Sequence, residues 1–167
     1  LRSEILFVAS EALKTFFETR PGDRRIALLD FENNDASILP DGRTQKYRGE
    51  VAKDNPAYII RIAEMYLIAA EAKGLDGGGL EDLNVLRLNR GLEELSAGDI
   101  ESEADFQQLV ADERLAELNF EGHRFFDLAR TQKIDAVLGI EQAKGVFPIP
   151  QRELIESGDQ VKQNPEY

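Results

Sequence analysis

An apolar run over residues 59–72 constrains the fold more than any other feature of this sequence. Its large side chains recur every three or four residues, which is the spacing of an amphipathic helix. Only Arg61, Glu64 and Glu71 interrupt the run, which is shorter than the roughly 20 apolar residues that a membrane-spanning helix needs. Because polar residues occupy only one edge, we predict a helix that is mostly buried in a larger helical core.

A glycine-rich turn joins this helix to a second one. Gly74 is suited to end the first helix, and Gly77–Gly79 supplies a flexible turn. The second helix is predicted over residues 80–90, with Leu83 and Leu86 toward the core. Two helices joined by a short loop form an αα-hairpin, the unit of helical-repeat folds. The glycines resemble a phosphate-binding loop only in composition, because the Lys-Ser/Thr pair of such loops is absent.

Two further helices are predicted downstream. Ser102 is a plausible N-cap with Asp105 in the capping-box position, and the helix that it begins runs to about Phe120. Gly122 then makes a break before a short fourth helix over residues 124–131. The predicted fold class is therefore mainly α, built from tetratricopeptide-like αα-hairpins with irregular segments.

The two ends of the chain are predicted to be less regular. Residues 1–55 form an irregular lead-in with minor β structure, including a strand-favouring run at residues 4–9 and a possible hairpin around residues 40–42. Residues 10–20 could form a helix with Leu13, Phe16 and Phe17 on one side. The closing tail, residues 146–167, starts extended because alternate prolines prevent a helix there, and it could then form one more helical turn.

The composition limits the size and the partners of the protein. A chain of 167 residues suits one domain, with residues 56–131 as its helical core. With 42% hydrophobic and 31% charged residues it resembles a globular protein. The net charge of −12 argues against binding to nucleic acid or directly to anionic lipid headgroups. The absence of cysteine excludes disulfides, zinc–thiolate sites and thiol nucleophiles.

The most unusual side chains form a carboxylate ladder. Glu113, Glu117 and Glu121 are four residues apart, and the first two fall on an apolar stripe. A carboxylate on a core-facing stripe must be paired or protonated, because an isolated buried charge is very costly. Arginines on the same helix and on the preceding one can supply the pairing. The predicted structural ion-pair network comprises Arg87, Arg90, Glu113, Arg114, Glu117, Glu121, Arg124 and Asp127.

The alternative interpretation of the ladder is an acid–base pair for glycoside hydrolysis. Such a pair needs one carboxylic acid with a raised pKa and one ionised partner across a cleft. Nearby arginines lower carboxylate pKa values, so Glu113 and Glu117 fit a network that fixes helix register better than a catalytic pair. We therefore predict no catalytic residues.

The single histidine does not indicate a metal site. A bundle metal site of the Glu-x-x-His type would need a glutamate three residues before His123, where Phe120 stands instead. One histidine and few serines also leave no sign of a nucleophilic triad. We predict neither a metal nor a cofactor.

Aromatic residues give no clear platform for a sugar. The chain has nine Phe, four Tyr and no Trp. Of the tyrosines, only Tyr47 lies in a predicted loop. Most phenylalanines fall on helical stripes and are predicted to be core residues: Phe16, Phe106, Phe120, Phe125 and Phe126.

Four segments, in order, resemble the C-terminal part of SusD/RagB proteins. Residues 60–72, IRIAEMYLIAAEA, are similar to that family's Arg-x-Ala-Glu-x-x-Leu-x-x-Ala-Glu-Ala helix. Residues 83–91 resemble its Asn-x-x-Arg-x-Arg-Ala-Gly element, although two residues separate the arginines and the alanine is missing. Residues 113–130, ERLAELNFEGHRFFDLAR, match Glu-Arg-x-x-Glu-Leu-x-Phe-Glu-Gly-x-Arg-x-x-Asp-Leu-x-Arg almost position for position. The tail, with Pro-Ile-Pro at residues 148–150 and Gln-Asn-Pro-x-Tyr at residues 163–167, is similar to the family's closing motifs.

This resemblance implies that the chain is the C-terminal fragment of a longer SusD-like protein. It implies a lipid-anchored protein on the outer surface of a Bacteroidetes-type outer membrane, with the anchor outside this chain. Its partners would be a SusC-like TonB-dependent transporter and an oligosaccharide or polysaccharide ligand. The implied function is non-enzymatic nutrient binding without a cofactor, with the ligand platform mostly outside these residues. A helical protein-interaction scaffold without its own ligand is the alternative.

Overall fold

The structure is a computed structural model that describes residues 8–30, 43–44, 46, 59–165 and 167. Its regular structure is mainly helical, which confirms the predicted fold class. None of the helices within these ranges combines the length and the apolar character that crossing a membrane requires.

By internal contacts the chain forms two compact units, residues 1–120 and 121–167. The regular elements of the first unit are α1 (Glu11–Glu18), β1 (Leu29–Asp30), β2 (Arg43–Thr44), α2 (Ile62–Lys73), α3 (Gly79–Asn89) and α4 (Glu103–Leu118), with 3₁₀ turns at Arg24–Leu28 and Ala97–Asp99. Those of the second are α5 (His123–Arg130), α6 (Ile134–Leu138) and α7 (Gln151–Glu156), with 3₁₀ turns at Gln142–Gly145 and Gly158–Gln160. The prediction that residues 1–167 make one domain stays a prediction.

The described part of the lead-in contains the helix that the sequence predicts over residues 10–20. Ser10 caps α1, because its hydroxyl oxygen accepts a hydrogen bond from the Leu13 N–H at 3.2 Å. The helix buries Leu13 and Phe17, which lie one turn apart on the same face. α1 therefore buries the apolar side that its sequence spacing indicates.

A short strand pair follows α1. β1 and β2 run antiparallel, with Leu29 opposite Thr44. The hairpin predicted around residues 40–42 and most of the strand predicted at residues 4–9 lie outside the described residues.

The helices α2 and α3 form the predicted αα-hairpin. α2 ends at Lys73, and the capping residue Gly74 has a φ of 68°, in the left-handed region that favours glycine. At the start of α3, a Cβ on Gly79 would lie 2.3 Å from the carbonyl oxygen of Ala70. Only a residue without a side chain allows the two helices to approach this closely at the turn.

The prediction that α2 is mostly buried is wrong. Its buried side chains form one stripe, Ala63, Leu67 and Ala70. On another face, Ile62 is 74% exposed and Ile68 is 45% exposed. Apolar residues on several sides of a helix show that it can be buried, but only the neighbouring elements decide which sides are covered.

Among the described residues of the first unit, two apolar clusters form the core, and α4 contributes to both. The larger cluster packs α2 and α3 against α4 around Leu67, Leu83 and Phe106. The smaller cluster joins α1 and β1 to α4 around Phe17 and Ala116. The buried members of the larger cluster are Ala63, Leu67, Ala70, Leu80, Leu83, Leu86, Ile100, Phe106, Val110 and Leu118, and those of the smaller are Leu13, Phe17, Leu29 and Ala116.

The start of α4 is set by the predicted cap. The Ser102 hydroxyl oxygen accepts a hydrogen bond from the Asp105 N–H at 3.2 Å, and Ser102 itself donates to the Asp105 carboxylate at 2.6 Å. The helix ends at Leu118, two residues earlier than predicted. Phe120 cannot extend it, because its φ of 61° lies in the left-handed region.

The second unit buries Leu128 of α5 and Ile134 of α6. The prediction that most phenylalanines are core residues is wrong for Phe126, whose surface is 59% exposed. Phe126 lies on α5 beside Phe125, and the two rings meet edge to face with centroids 5.8 Å apart.

The closing tail begins extended, as the prolines predict, and then forms α7. The Gln163 side chain holds the extended part in place, because it accepts from the Ile149 N–H at 2.8 Å and donates to the Ile149 carbonyl at 3.0 Å. Asn164 adds a hydrogen bond to the Phe147 carbonyl at 2.7 Å. These side chains satisfy backbone groups that would otherwise need a strand partner.

Candidate functional site

A cluster of buried charges lies against α4 in the first unit. Glu113 and Glu117 are almost fully buried, and so is Asp23 from the turn after α1. Ion pairs connect these carboxylates to arginines of the turn, of α3, and of the positions just before α2 and just after α3. We call this set the arginine–carboxylate cluster; it consists of Arg20, Asp23, Arg25, Arg61, Arg87, Arg90, Glu113 and Glu117.

Sequence spacing places the carboxylates on one side of α4. Glu113 and Glu117 are four residues apart, so their side chains lie on the same face one turn apart. Arg87 lies in the last turn of α3 and Arg90 is the residue just after that helix. Each contacts one of the two carboxylates. Arg61 is the residue just before α2.

The Glu113 carboxylate forms ion pairs with Arg20, Arg25 and Arg87. Its carboxylate lies 2.5 Å from Arg20, 2.5 Å from Arg25 and 3.4 Å from Arg87. These contacts join the turn after α1 to α3 through α4. Hydrogen bonds between two charged groups are roughly twice as strong as neutral ones.

The Glu117 carboxylate accepts hydrogen bonds from Arg90, Arg61 and Arg25. Arg90 donates to both of its oxygens, at 2.9 and 2.8 Å, which is the paired geometry that suits a guanidinium. Arg61 donates at 2.9 Å and Arg25 at 3.1 Å. The carboxylate therefore connects α2, α3 and the turn after α1 at one point.

Arg25 lies at the centre of the cluster. It donates to Asp23 at 2.8 and 2.7 Å, in addition to its contacts with Glu113 and Glu117. Asp23 also accepts the Arg25 backbone N–H at 3.1 Å, which caps the following 3₁₀ turn. Both side chains are almost inaccessible to solvent.

The cluster keeps the carboxylates of Glu117 and Asp23 ionised. Burial alone would raise the pKa of Glu117, but hydrogen bonds from Arg90 and Arg61 outweigh burial and lower the pKa to about 2. Burial also acts to raise the pKa of Asp23, and the hydrogen bond and charge of Arg25 reverse that effect and lower it. These carboxylates are charged at neutral pH.

The pKa values of two arginines, Arg25 and Arg87, are shifted in opposite directions. Burial would lower the pKa of Arg25, but its hydrogen bond to Asp23 and the charge of Glu113 raise it. Burial lowers the pKa of Arg87, and the positive charge of Arg20 adds to that effect despite the nearby Glu113.

Positively charged side chains also contact the carboxyl end of α4. The Lys46 ammonium donates to the carbonyl oxygens of Glu117 and Asn119, at 2.6 and 2.8 Å. Arg61 donates to the Glu117 carbonyl at 3.0 Å. The last carbonyls of a helix lack partners within the helix and carry partial negative charge, so cations stabilise this end.

The structure places the sequence-predicted network residues in different surroundings. Arg87 and Arg90 contact Glu113 and Glu117 as given above, and Arg114 is buried on α4. Three others belong to the second unit: Glu121, Arg124 and Asp127, the last of which pairs with Arg130 at 3.0 Å. The prediction that all eight residues form one structural network stays a prediction.

Sequence reasoning missed half of the cluster. Arg20 ends the helix predicted over residues 10–20, and Asp23 and Arg25 follow it without hydrophobic periodicity, so nothing in the pattern places the three near α4. Arg61 was noticed only as a polar interruption of the apolar run. The available signal was an excess of charge at Arg20 to Arg25, next to a proline and glycine that force a tight turn.

The arrangement stabilises contacts between elements and offers little for proton transfer. A general acid needs a carboxyl group that is protonated near the working pH, whereas Glu117 has the opposite property. Within the described ranges, no group of three or more His, Cys, Asp or Glu side chains is placed to hold a metal ion.

Comparison with known protein families identifies the group to which the chain is related. A family model described as the SusD family matches residues 36–145, which is more than half of the chain. The chain belongs to the SusD family. The matched residues include α2, α3 and α4, whereas Arg20, Asp23 and Arg25 of the cluster precede them.

Individual SusD relatives agree with this assignment. A SusD-like protein of Formosa agariphila is 30% identical over 127 residues, covering 68% of this chain and 25% of that protein. A SusD superfamily protein of Bacteroides thetaiotaomicron is 27% identical, with a TM-score of 0.66 over 95% of this chain and 40% of that chain. A SusD-like protein of Bacteroides fragilis is 25% identical, with a TM-score of 0.57 over 66% of this chain and 26% of that chain. The chain thus spans about a quarter of the length of the curated relative.

Proposed function

We propose that this chain is part of a non-enzymatic nutrient-binding protein at the surface of a Bacteroidetes-type outer membrane. The observation that carries the proposal is the match of residues 36–145 to the SusD family. The relatives with assigned organisms come from Formosa agariphila and from two Bacteroides species. Within the proposal, a lipid anchor outside this chain holds the protein on the membrane.

The proposed ligand is an oligosaccharide or polysaccharide, and the proposed partner is a SusC-like TonB-dependent transporter. The binding platform lies mostly in the remainder of a longer chain, because residues 1–167 correspond to a C-terminal portion in this proposal. The position of Tyr47 in a predicted loop makes it the candidate within this chain. No cofactor is needed for this function.

The charged cluster supports a binding protein over a hydrolase. A glycosidase acid must hold a proton near neutral pH, but hydrogen bonds from Arg90 and Arg61 keep the pKa of Glu117 at about 2 despite its burial. We propose that the predicted network has a scaffolding role. Its proposed members are the residues paired around Glu113 and Glu117, together with Arg114, Glu121, Arg124 and Asp127. The scaffold fixes how α2, α3 and the turn after α1 lie against α4.

The second candidate is a helical scaffold that binds another protein and has no ligand of its own. The exposed apolar side chains on α2, including Ile62 and Ile68, favour this alternative.

Affinity gel electrophoresis against a panel of polysaccharides tests the proposal. The longer parent protein and the 167-residue chain are run side by side, with a non-binding protein of similar charge as the control. We expect at least one polysaccharide to retard the parent. Retardation of the 167-residue chain as well would place part of the site here, and a Tyr47→Ala variant would then test that residue. If no polysaccharide retards the parent, glycan binding is wrong and the scaffold becomes the better explanation.

A further inference from the structure

The guanidinium groups of Arg20 and Arg87 meet at one oxygen of Glu113. Arg20 donates to Glu113 Oε2 through Nη2 at 2.5 Å, and Arg87 donates to the same oxygen through Nη1 at 3.4 Å. The other oxygen of Glu113 accepts from Arg25 at 2.5 Å. Two cations therefore lie side by side, and the side chain of each is 13% exposed. We call Arg20 and Arg87 the arginine pair.

Each member of the arginine pair has a terminal nitrogen whose N–H groups are not used. Arg20 donates to Asp23 through Nε and to Glu113 through Nη2. Arg87 donates to the Glu93 carbonyl through Nε and to Glu113 through Nη1. Among the described residues, Nη1 of Arg20 and Nη2 of Arg87 have no hydrogen-bond partner, and neither atom is fully buried. These nitrogens are donors that an acceptor from solution can reach.

Positive charge exceeds negative charge around the arginine pair. Three arginines, namely the pair and Arg25, surround the two carboxylates of Glu113 and Asp23. Burial lowers the pKa of Arg87, and the positive charges of Arg20 and Arg25 add to that effect despite the nearby Glu113. An added negative charge at this position would relieve the repulsion between the arginines, because an opposite charge within about 4–6 Å favours the charged form of a group.

Backbone contacts between two turns hold the arginine pair in place. The Arg24 N–H, in the turn after α1, donates to the Arg90 carbonyl, in the turn after α3, at 2.8 Å. A Cβ on Gly91 would lie 2.8 Å from the Gly22 carbonyl oxygen, so the two turns touch without a side chain between them. The donors are therefore positioned before a ligand arrives, which reduces the entropic cost of binding.

An oxyanion group with a single negative charge is the ligand that suits the arginine pair. Guanidinium groups bind oxyanions through strong, directed hydrogen bonds. Three arginines against two carboxylates leave one positive charge to be balanced, which fits a carboxylate or a sulfate ester better than a phosphate group with its charge of about −1.5 to −2. The chain as a whole carries a net charge of −12 and repels free anions, so an anionic group on a ligand with further contacts is favoured over a free ion.

We propose that the arginine pair binds an acidic group, a carboxylate or a sulfate ester, on the saccharide that the longer protein captures. Nη1 of Arg20 and Nη2 of Arg87 donate to the oxygens of that group, while Arg25 remains bound to Glu113. This inference rests on the proposed function, in which the ligand is a saccharide, and adds that the saccharide is acidic.

Chemical modification of the longer protein tests the site without any substitution. Phenylglyoxal, which reacts with guanidinium groups, is added in sodium chloride, sodium sulfate or sodium glucuronate at equal ionic strength, and modified peptides are quantified by mass spectrometry. We expect Arg87 to react severalfold more slowly in saturating sulfate or glucuronate than in chloride. Arg152, whose side chain is 81% exposed, is the internal control and should react equally in all three salts.

Two results of this assay would overturn the proposal. Equal rates at Arg87 in the three salts would mean that the arginine pair does not bind an oxyanion. Failure of Arg87 to react even in chloride would mean that the rest of the longer protein covers the pair and leaves no room for a ligand.

Matched polysaccharides test the chemical class of the ligand. Dextran and dextran sulfate share a backbone and differ in sulfate esters, whereas polygalacturonate and its methyl ester differ in carboxylate charge. In affinity gels, we expect the charged member of at least one pair to retard the longer protein more strongly than its neutral counterpart does. Higher salt should weaken that retardation, because it screens the charges. Charged members that retard the protein no more than the neutral ones in both pairs would contradict an acidic ligand.

Arg87→Gln in the longer protein tests the arginine pair itself. Arg25 stays 2.5 Å from Glu113, so the carboxylate keeps a charged partner in this variant. The Kd for the charged polysaccharide should rise about tenfold or more, because a hydrogen bond between charged groups is lost. Arg152→Gln is the matched control, since it makes the same charge change at an exposed residue. Equal weakening by the two variants would indicate a general effect of charge and refute the site.

Urea denaturation shows whether Arg87→Gln still folds. If the variant has no cooperative unfolding transition, the phenylglyoxal assay on the unsubstituted protein decides the question.

The two assays keep this proposal separate from the proposed function. A longer protein that binds neutral polysaccharides only, without protection of Arg87, refutes the acidic ligand and keeps nutrient binding. Protection of Arg87 by sulfate or glucuronate without retardation by any polysaccharide refutes the saccharide as the source of the acidic group, and with it the nutrient-binding function, but keeps an oxyanion site at the arginine pair.

Discussion

Replacing Glu117 by glutamine keeps the shape of the side chain but removes its negative charge. Among the described residues, four hydrogen bonds reach this carboxylate, two from Arg90 and one each from Arg61 and Arg25. In the glutamine variant the amide oxygen still accepts, but the NH₂ group can only donate and therefore faces other donors. Arg25, whose side chain is 3% exposed, would then hold a buried charge with less compensation.

The size of the effect follows from the pKa of Glu117. Hydrogen bonds from Arg90 and Arg61 overcome burial and lower that pKa from 4.5 to about 2. Each pKa unit corresponds to about 1.4 kcal/mol, so the folded state favours the ionised form by roughly 3 kcal/mol. Breaking a buried ion pair by removing one partner costs about 3–5 kcal/mol, which is similar. We expect Glu117→Gln to lower the free energy of unfolding by about 3 kcal/mol near neutral pH.

Urea denaturation followed by circular dichroism measures this change. The matched control is Glu101→Gln, because Glu101 is an exposed carboxylate, and surface substitutions usually change stability by less than about 0.5 kcal/mol. The pH dependence gives a second check. Because the folded-state pKa of Glu117 is depressed below 4.5, its contribution is complete above that pH and is lost as the pH falls toward about 2.

Two results would refute this reasoning. A Glu117→Gln variant as stable as the Glu101→Gln control at neutral pH would mean that the charge of Glu117 contributes nothing to folding. A difference between variant and wild type that stays constant from about pH 5 to about pH 2 would mean that the effect does not come from ionisation.

Three further substitutions test the local structure. Ser102→Ala removes the cap of α4 and should lower the free energy of unfolding by about 1 kcal/mol in urea denaturation. Gly79→Ala introduces a Cβ that would lie 2.3 Å from the Ala70 carbonyl oxygen, so it should destabilise the hairpin by about 2 kcal/mol in the same assay. Gln163→Ala removes both hydrogen bonds to Ile149, and the Ile149 N–H should exchange with deuterium at least tenfold faster by mass spectrometry or NMR.

Each of these substitutions has a matched control. Ser102→Thr keeps a hydroxyl cap and should recover most of the stability. Gly98→Ala is the control for Gly79, because a Cβ there meets only the Ser96 hydroxyl oxygen at 3.7 Å. Gln163→Glu keeps the oxygen that accepts from Ile149. The predictions fail if the paired variants behave alike.

Local signals in the sequence predict the helices well. The αα-hairpin follows from an apolar stripe that ends at Gly74 and resumes after the glycine turn, because few residues other than glycine tolerate that geometry. The Ser102 cap was also visible, since a hydroxyl residue before a periodic segment satisfies free N–H groups at a helix start. Such signals act within a few residues and therefore appear in a single sequence.

Contacts between distant segments could not be predicted in the same way. Arg25 lies 88 residues before Glu113 in the chain, and no local pattern relates the two. The burial of Glu113 and Glu117 required positive partners, and sequence spacing supplied Arg87 and Arg90 but not the turn after α1. The exposure of Phe126 was missed for a related reason, because an aromatic residue on a helix indicates an apolar face without showing what covers it.

The central position of Arg25 determines the order in which the parts of the first unit unfold. Helices α2, α3 and α4 share the larger apolar cluster, whereas α1 and β1 share a smaller one, and the ion pairs of Arg25 supply much of the remaining attachment. Acid that protonates Asp23 and Glu117, whose pKa values are lowered in the fold, weakens that attachment without touching the larger apolar cluster. Residues 11–30 should therefore behave as a separate foldon that opens in acid while the three-helix remainder stays folded.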